Sequence, residues 1–414
     1  MSKKLLIIVG AGASIDFGMP SVKTIDNLFE TWGKEILPLK TDNTQSLYTW
    51  VKERLTKYAQ QNPRNRIDNI VNFESLLFTI QNIATVLNDD HWQHFNNRLK
   101  PFIQVDTMPE VERFGKIKVA DGNDFHFLHS YLIDKLLENF REKCKTVNND
   151  KAIEIKKLSE FFTKLKTEFD LGFVNLNYDN VVLSCLPDLE TGYDAKTGEF
   201  RRDKLYSGKW NFCYHMHGSV HFDLRGNKTE MHKIYWNSDL TTRFAQNSSG
   251  RSSNYTSEGL SHLNSAIIAG LDKSNQLLKE PFGPYFMQLD KVIHESDAIL
   301  FLGYGFNDTH LNRIFPFVRN DSKKRKVVIV DWANTDKDGL NFRHDGWSFG
   351  VFSTVPFNGF EMGDGKSRLP NPANHYKSNK ILEKSSNPDY PLAVWYDGLL
   401  EACQYSDKII DELR

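Results

Sequence analysis

KLLIIVGAGAS, residues 4–14, decides the fold class of this chain. Its first six residues read as a strand in which Leu5–Val9 form a continuous apolar run ending in β-branched residues, the pattern of a strand buried on both faces of a parallel sheet. Gly10 and Gly12 break that run where a helix should begin, so that backbone N–H groups can approach an anion at the positive helix end. A GxG turn is equally an ordinary structural turn, and its neighbours must decide between the two. A dinucleotide fingerprint would place a third glycine at position 15, where the chain has Ile15, and no acidic residue is plainly placed after a second strand. An ordinary dehydrogenase is therefore disfavoured.

Working outward, residues 171–176 (LGFVNL), 211–216 (NFCYHM), 298–302 and 326–331 also read as strands, and helical periods at 286–296 and 309–319 alternate with the later ones. The expectation is α/β: a Rossmann-like, right-handed parallel sheet flanked by helices. Between the first two strands lie helical periods at 22–37, 47–61, 73–88, 125–144 and 153–169, a large helical insertion over about 22–169. Residues 220–224 and 231–236 flank a turn-like Arg225-Gly226-Asn227-Lys228 and suggest a hairpin. Residues 238–259, rich in Ser, Asn, Thr and Gly, read as a lid or, with more weight, a disordered loop. Residues 357–374 read as a loop and 392–413 as a closing amphipathic helix. The division expected is 1–335 as the catalytic domain, insertion included, and 336–414 as an extension packed on it.

Composition excludes several classes. With 414 residues, 40% hydrophobic and 25% charged, the chain is globular rather than disordered. Lys+Arg 52 against Asp+Glu 53 leaves no global field for nucleic acid or an anionic membrane. The apolar runs are far short of the roughly 20 residues of a membrane span, and MSKKLL passes directly into strand-like sequence, so neither signal peptide nor anchor is expected. Cys144, Cys185, Cys213 and Cys403 form no CxxC pair, which suggests neither disulfides nor a zinc knuckle and makes a reducing cytoplasm the default.

Three further segments carry chemistry. Asn177-Tyr178-Asp179 follows a buried strand at its carboxyl end, where α/β sheets collect ligands; Asn177 and Asp179 suit a ribose and a water, or equally a turn or helix cap. His215-Met216-His217-Gly218 closes another strand, with both histidines on one face by period two. With no third ligand at local spacing, one working imidazole is preferred to a metal pair, and a structural histidine stands beside it. His91/His94 and His126/His129 fall on expected helices and read as surface or packing residues. Finally, Gly303-Tyr304-Gly305-Phe306-Asn307-Asp308 is a second glycine turn entering a helix, with Asn307 or Asp308 as alternative caps.

GAGAS-x-x-x-G-x-P, N-Y-D, H-G-S and G-Y-G-F-N-D, in that order over about residues 5–331, resemble the Sir2 family, particularly its bacterial Sir2-like branch. Asn72-Phe73-Glu74-x-x-Leu77 is similar to a helix of the same branch, with no chemistry assigned to Glu74. The resemblance implies NAD as substrate, held by Gly10, Ala11, Gly12, Ala13, Ser14, Asp16, Asn177, Gly303, Tyr304, Gly305 and Asn307. It implies Asn177 orienting water or ribose, His217 as base and Asp179 as support. Sir2 deacylases carry a four-cysteine zinc module that this chain cannot build, so no metal is expected. The activity implied is instead cleavage of the nicotinamide–ribose bond, as in Sir2-like effectors that deplete NAD during phage infection. Partners implied are NAD, further copies in a homo-oligomer, and a HerA-type ATPase or an Argonaute-like protein, with neither nucleic acid nor membrane. A zinc-free deacylase and a non-catalytic NAD or ADP-ribose sensor are the alternatives.

Overall fold

The computed structural model describes residues 2–61, 70–87, 108–226, 233–255, 261–271, 273–277, 279–315, 323–340, 345–355, 373–385 and 391–414. The chain divides into two compact units, residues 1–19 with 143–220 and 280–414, and residues 20–142 with 221–279.

The first unit is built on a seven-stranded sheet. In chain order its strands are β1 (Lys3–Val9), β2 (Phe169–Asn175), β3 (Phe212–His215), β4 (Ala298–Leu302), β5 (Lys326–Val330), β6 (Glu383–Lys384) and β7 (Leu392–Trp395). They lie in the order β6-β7-β5-β4-β1-β2-β3, all neighbours parallel except the antiparallel β6–β7 edge pair. The run 3-2-1-4-5 is that of a dinucleotide-binding half-sheet, with its switch point between β1 and β4. Leu5, Leu6, Ile7 and Ile8 of β1 are all completely buried, which explains the absence of alternation in that strand.

Both faces are covered. Phe173 of β2 meets Phe162 of helix α1 (Ala152–Glu168) edge-on, ring centroids 5.1 Å apart. Tyr214 of β3 is in register with Val174, one position on from Phe173 and so on the opposite face. It stacks on Tyr285 of helix α2 (Phe282–Glu295) at 5.2 Å.

The second unit contains helices Val22–Lys34, Leu47–Gln60 and Phe73–Leu87, and three antiparallel strand pairs. Phe29 packs edge-on against Phe73 at 5.4 Å, and the Asp26 carboxylate accepts from the Phe73 N–H at 2.7 Å, which anchors the start of the third helix.

Several expectations need correction. Residues 392–395 are not the start of a helix: Leu392–Trp395 is a buried strand paired with β5, and two short helices, Leu399–Gln404 and Ser406–Leu413, follow it. Within 238–259, expected as a disordered loop, Ser248–Tyr255 is a strand paired with Ser261–Ser265, and 256–259 lie outside the described residues. Polar residues are buried there because each finds a partner: Ser248 donates to Asp134 at 2.7 Å, and Arg141 donates to Asn247 and to the Phe222 carbonyl. Of the 309–319 helix only Thr309–Asn312 and the turns after it are described. His126 and His129 are buried packing residues in the helix Gly122–Asp150; His91, His94, the 227–232 turn and nearly all of 357–374 lie outside the described residues. Among the described residues no helix is long and apolar enough to cross a membrane.

Candidate functional site

The site gathers at the carboxyl ends of β3, β2, β1 and β4. Leaving β1, the chain enters a short 3-10 helix, Ala11–Phe17, that ends at Gly18 with φ 83°. The first glycine loop packs directly on the second. Gly10 N–H donates to the Leu302 carbonyl and Gly12 N–H to the Gly303 carbonyl, both at 2.9 Å, and Ala13 N–H to the Gly10 carbonyl at 3.0 Å. A Cβ on Gly10 would lie 2.7 Å from the Gly303 oxygen, and one on Gly303, whose φ is 55°, would lie 2.0 Å from the Ala13 nitrogen. These glycines are thus demanded first by backbone packing at the switch point. The Gly10, Gly12 and Ala13 N–H groups are spent inside the protein and are not turned toward an anion. Ala11, Gly12 and Asp16 are exposed on the loop, and Ala13 and Ser14 are buried.

Asn177 is buried, and its amide Nδ2 donates to the Gly10 carbonyl and to Ser14 Oγ, each at 2.9 Å. A carbonyl oxygen can only accept, so this contact fixes which way the amide points. Its Oδ1 is an acceptor not used by these two contacts. Asp179 closes a turn just before the helix Val181–Cys185: its Oδ1 accepts from the Val181 N–H at 3.0 Å, while the N-cap position itself is Asn180, which makes no side-chain cap. Its carboxyl is fully buried, which raises its pKa, while the nearby Ser14 hydroxyl and the Val181 N–H oppose the rise. The other oxygen, Oδ2, makes no hydrogen bond of full geometry.

His217 is 3% exposed. Its Nδ1 lies 3.2 Å from the Leu176 carbonyl, an acceptor, so Nδ1 carries the proton and Nε2 presents its lone pair. Nε2 faces His310 Nε2 at 3.4 Å and Asp308 Oδ1 at 3.9 Å. His215 does not join it as a second ligand; it is completely buried with Nε2 3.8 Å from the Cys213 sulfur. On the β4 loop, Gly305 and Asn307 are exposed, whereas Tyr304 is buried with its hydroxyl donating to Asn312 at 2.6 Å. Asp308 makes no side-chain cap on the helix that follows it.

Among the described residues, His217, Asp308 and His310 form a group able to hold a metal ion, with donor atoms all within 4.8 Å of one another. Local spacing could not show this, because 93 residues separate His217 from His310. The only signal was that two strand-end motifs closed on the same sheet edge.

Fold and site together define an α/β protein whose candidate residues gather at the switch point of a parallel sheet, the place where such sheets collect ligands. Residues 172–345 match the family described as SIR2-like domain, a stretch that holds Asn177, Asp179, His217, Gly303 and Asp308 but not the first glycine loop. No curated protein matches the chain. Among solved structures, the chain is similar to a Sir2 homolog in complex with NAD, at 10% identity and TM-score 0.33 over 82% of this chain and 80% of that one. It is also similar to Sir2Tm bound to a propionylated peptide, at 12% identity and TM-score 0.27 over 80% and 83%.

Proposed function

We propose that the protein is an NAD glycohydrolase that cleaves the nicotinamide–ribose bond and releases nicotinamide and ADP-ribose. The observation that carries this reading is the placing of Asn177, its amide nitrogen held by Gly10 and Ser14, and of His217, oriented by the Leu176 carbonyl, just past the ends of two adjacent strands. The reaction passes through an oxocarbenium-like centre at the ribose C1′ and needs a placed water and a base. Asn177 Oδ1 accepts from the water, the water oxygen bonds to C1′ as the glycosidic electron pair leaves with nicotinamide, and the displaced proton goes to His217 Nε2. Asp179 and Ser14 hold Asn177 in place, and the two glycine loops position the adenosine diphosphate end.

The deacylase reading is less well supported, because the four cysteines are scattered and Cys144, Cys185 and Cys213 are buried singly. Depletion of NAD suits a defence effector active against phage. Such toxicity has to be restrained, so the reading includes gating by self-assembly or by a partner such as a HerA-type ATPase in the cytoplasm.

The test is NAD consumption by the full chain, alone and with candidate partners, with nicotinamide, ADP-ribose and acyl-ADP-ribose resolved. Release of the first two should fall by about 10²–10⁴-fold in His217→Ala and Asn177→Ala. Consumption only in the presence of an acylated peptide establishes the deacylase; binding without turnover under every condition establishes the sensor.

A further inference from the structure

We propose that His217, Asp308 and His310 form a binding site for a divalent first-row transition ion such as zinc. Two imidazoles and one carboxylate are the donor set such ions select, whereas calcium and magnesium prefer oxygen alone. The three donor atoms all lie within 4.8 Å of one another, a cluster that a bound ion would draw tighter. Tetrahedral ligands about 2.0–2.1 Å from an ion are about 3.3–3.4 Å from each other. The two Nε2 atoms are 3.4 Å apart, and Asp308 Oδ1 is 3.9 Å from His217 Nε2. The outer contacts of a metal-binding histidine are also in place: the Leu176 carbonyl holds Nδ1 of His217 and so aims Nε2 at the ion. His310 is oriented by stacking beside Phe286, ring centroids 6.4 Å apart. Asp308 and His310 are two residues apart at the entry to a helical turn, which brings both onto one imidazole. Three protein ligands leave a fourth position for water or a substrate oxygen, the pattern of an open rather than a purely structural site.

The ion takes the lone pair that His217 needs as a base, so metal binding and NAD hydrolysis exclude one another. That consequence rests on the hydrolase reading; the site itself does not. The experiment is competition for Zn²⁺ between a chromophoric chelator and the chelator-stripped full chain, beside the visible spectrum with Co²⁺. Wild type should take up one ion with nitrogen–oxygen ligand-field bands and no thiolate charge-transfer band. His310→Ala and His310→Gln should each bind at least about tenfold more weakly. The second variant keeps the test intact if the first fails to fold. Equal affinity in either folded variant, a thiolate band, or no uptake by wild type overturns the site. Zinc binding that depends on His310 in a protein that never turns over NAD keeps the metal site and removes the hydrolase. NAD turnover indifferent to zinc, with binding intact, keeps both activities and removes their competition.

Discussion

Replacing Gly303 with alanine separates the packing role of the glycine loops from any ligand role. The added Cβ would sit 2.0 Å from the Ala13 nitrogen and 2.4 Å from the Gly12 carbonyl carbon, both backbone atoms that cannot swing away. The φ of 55° adds the cost of a left-handed conformation, about 1–2 kcal/mol, and forced overpacking costs about 1–3 kcal/mol more. The expected loss is therefore about 2–5 kcal/mol. Gly305 is the internal control. A Cβ there meets only Asn307 Nδ2, at 3.5 Å, with no left-handed φ, so Gly305→Ala should stay within about 0.5 kcal/mol of wild type. Its methyl group lies on the exposed part of the loop, where it should weaken ADP-ribose binding severalfold. Chemical denaturation followed by far-UV circular dichroism reads the first effect, and calorimetric titration with ADP-ribose the second. Equal destabilisation by the two substitutions, or a Gly303→Ala protein as stable as wild type, would refute the packing argument.

Asn177→Asp should destabilise more than Asn177→Ala, by about 1–3 kcal/mol, because a carboxylate cannot donate to the Gly10 carbonyl 2.9 Å away and would sit beside the buried Asp179; urea midpoints that coincide would contradict this. Acid should unfold the second unit early. Burial lowers the pKa of His126 and of His221 to about 4, so the unfolded chain binds protons first, and stability is lost as pH falls from about 6.5 toward 4. Asp134, raised to about 6 by burial, works in the opposite direction below pH 6, but one carboxyl does not offset two imidazoles. His126→Leu should therefore move the acid transition to lower pH, and an unmoved transition would count against the two-histidine account. Phe173→Ala should cost about 3–5 kcal/mol through the cavity left beside Phe162, read by thermal melting, and a loss under about 1 kcal/mol would mean the α1 face repacks.

What was legible in the sequence followed from local chemistry. The strand at residues 4–9, the strands ending near Asn177 and His217, and the amphipathic stripe of α1 are written in runs and periods of a few residues. β7 was not read, because four residues of strand precede two turns of helix with a strong stripe and the longer pattern hid the shorter one. Its punctuation was available in Pro391 and Gly398, the latter at φ 76°. Ser248–Tyr255 was hidden for the opposite reason: its composition is that of a loop, and the partner that satisfies the buried Ser248 is the distant Asp134. The two glycine loops follow β1 and β4, and what no local pattern could show is that the Gly10 and Gly12 N–H groups bond to the Leu302 and Gly303 carbonyls, about 290 residues on. His310 could not be singled out by any local pattern.

The candidate residues are held at one level by the parallel register itself. Asn175 pairs with Val9 on one side and with His215 on the other, so Asn177 and His217 are equivalent positions, each two residues past the end of its own strand. The ladder also continues one step beyond the strands, with Leu176 N–H donating to the Val9 carbonyl and Met216 N–H to the Asn175 carbonyl, both at 2.9 Å. That extra step fixes the Leu176 carbonyl, the acceptor that orients His217. On the far side of β1, Val9 pairs with Leu302, which brings the Gly303 turn, and beyond it Asp308 and His310, to the same edge. Adjacent strands are about 4.8 Å apart, so the four strand ends span about 14 Å along one sheet edge. A single register slip would reverse the side-chain faces of the strand that slipped and break the alignment. The buried, unalternating strands that specify the sheet therefore also set the spacing on which the chemistry at its edge depends.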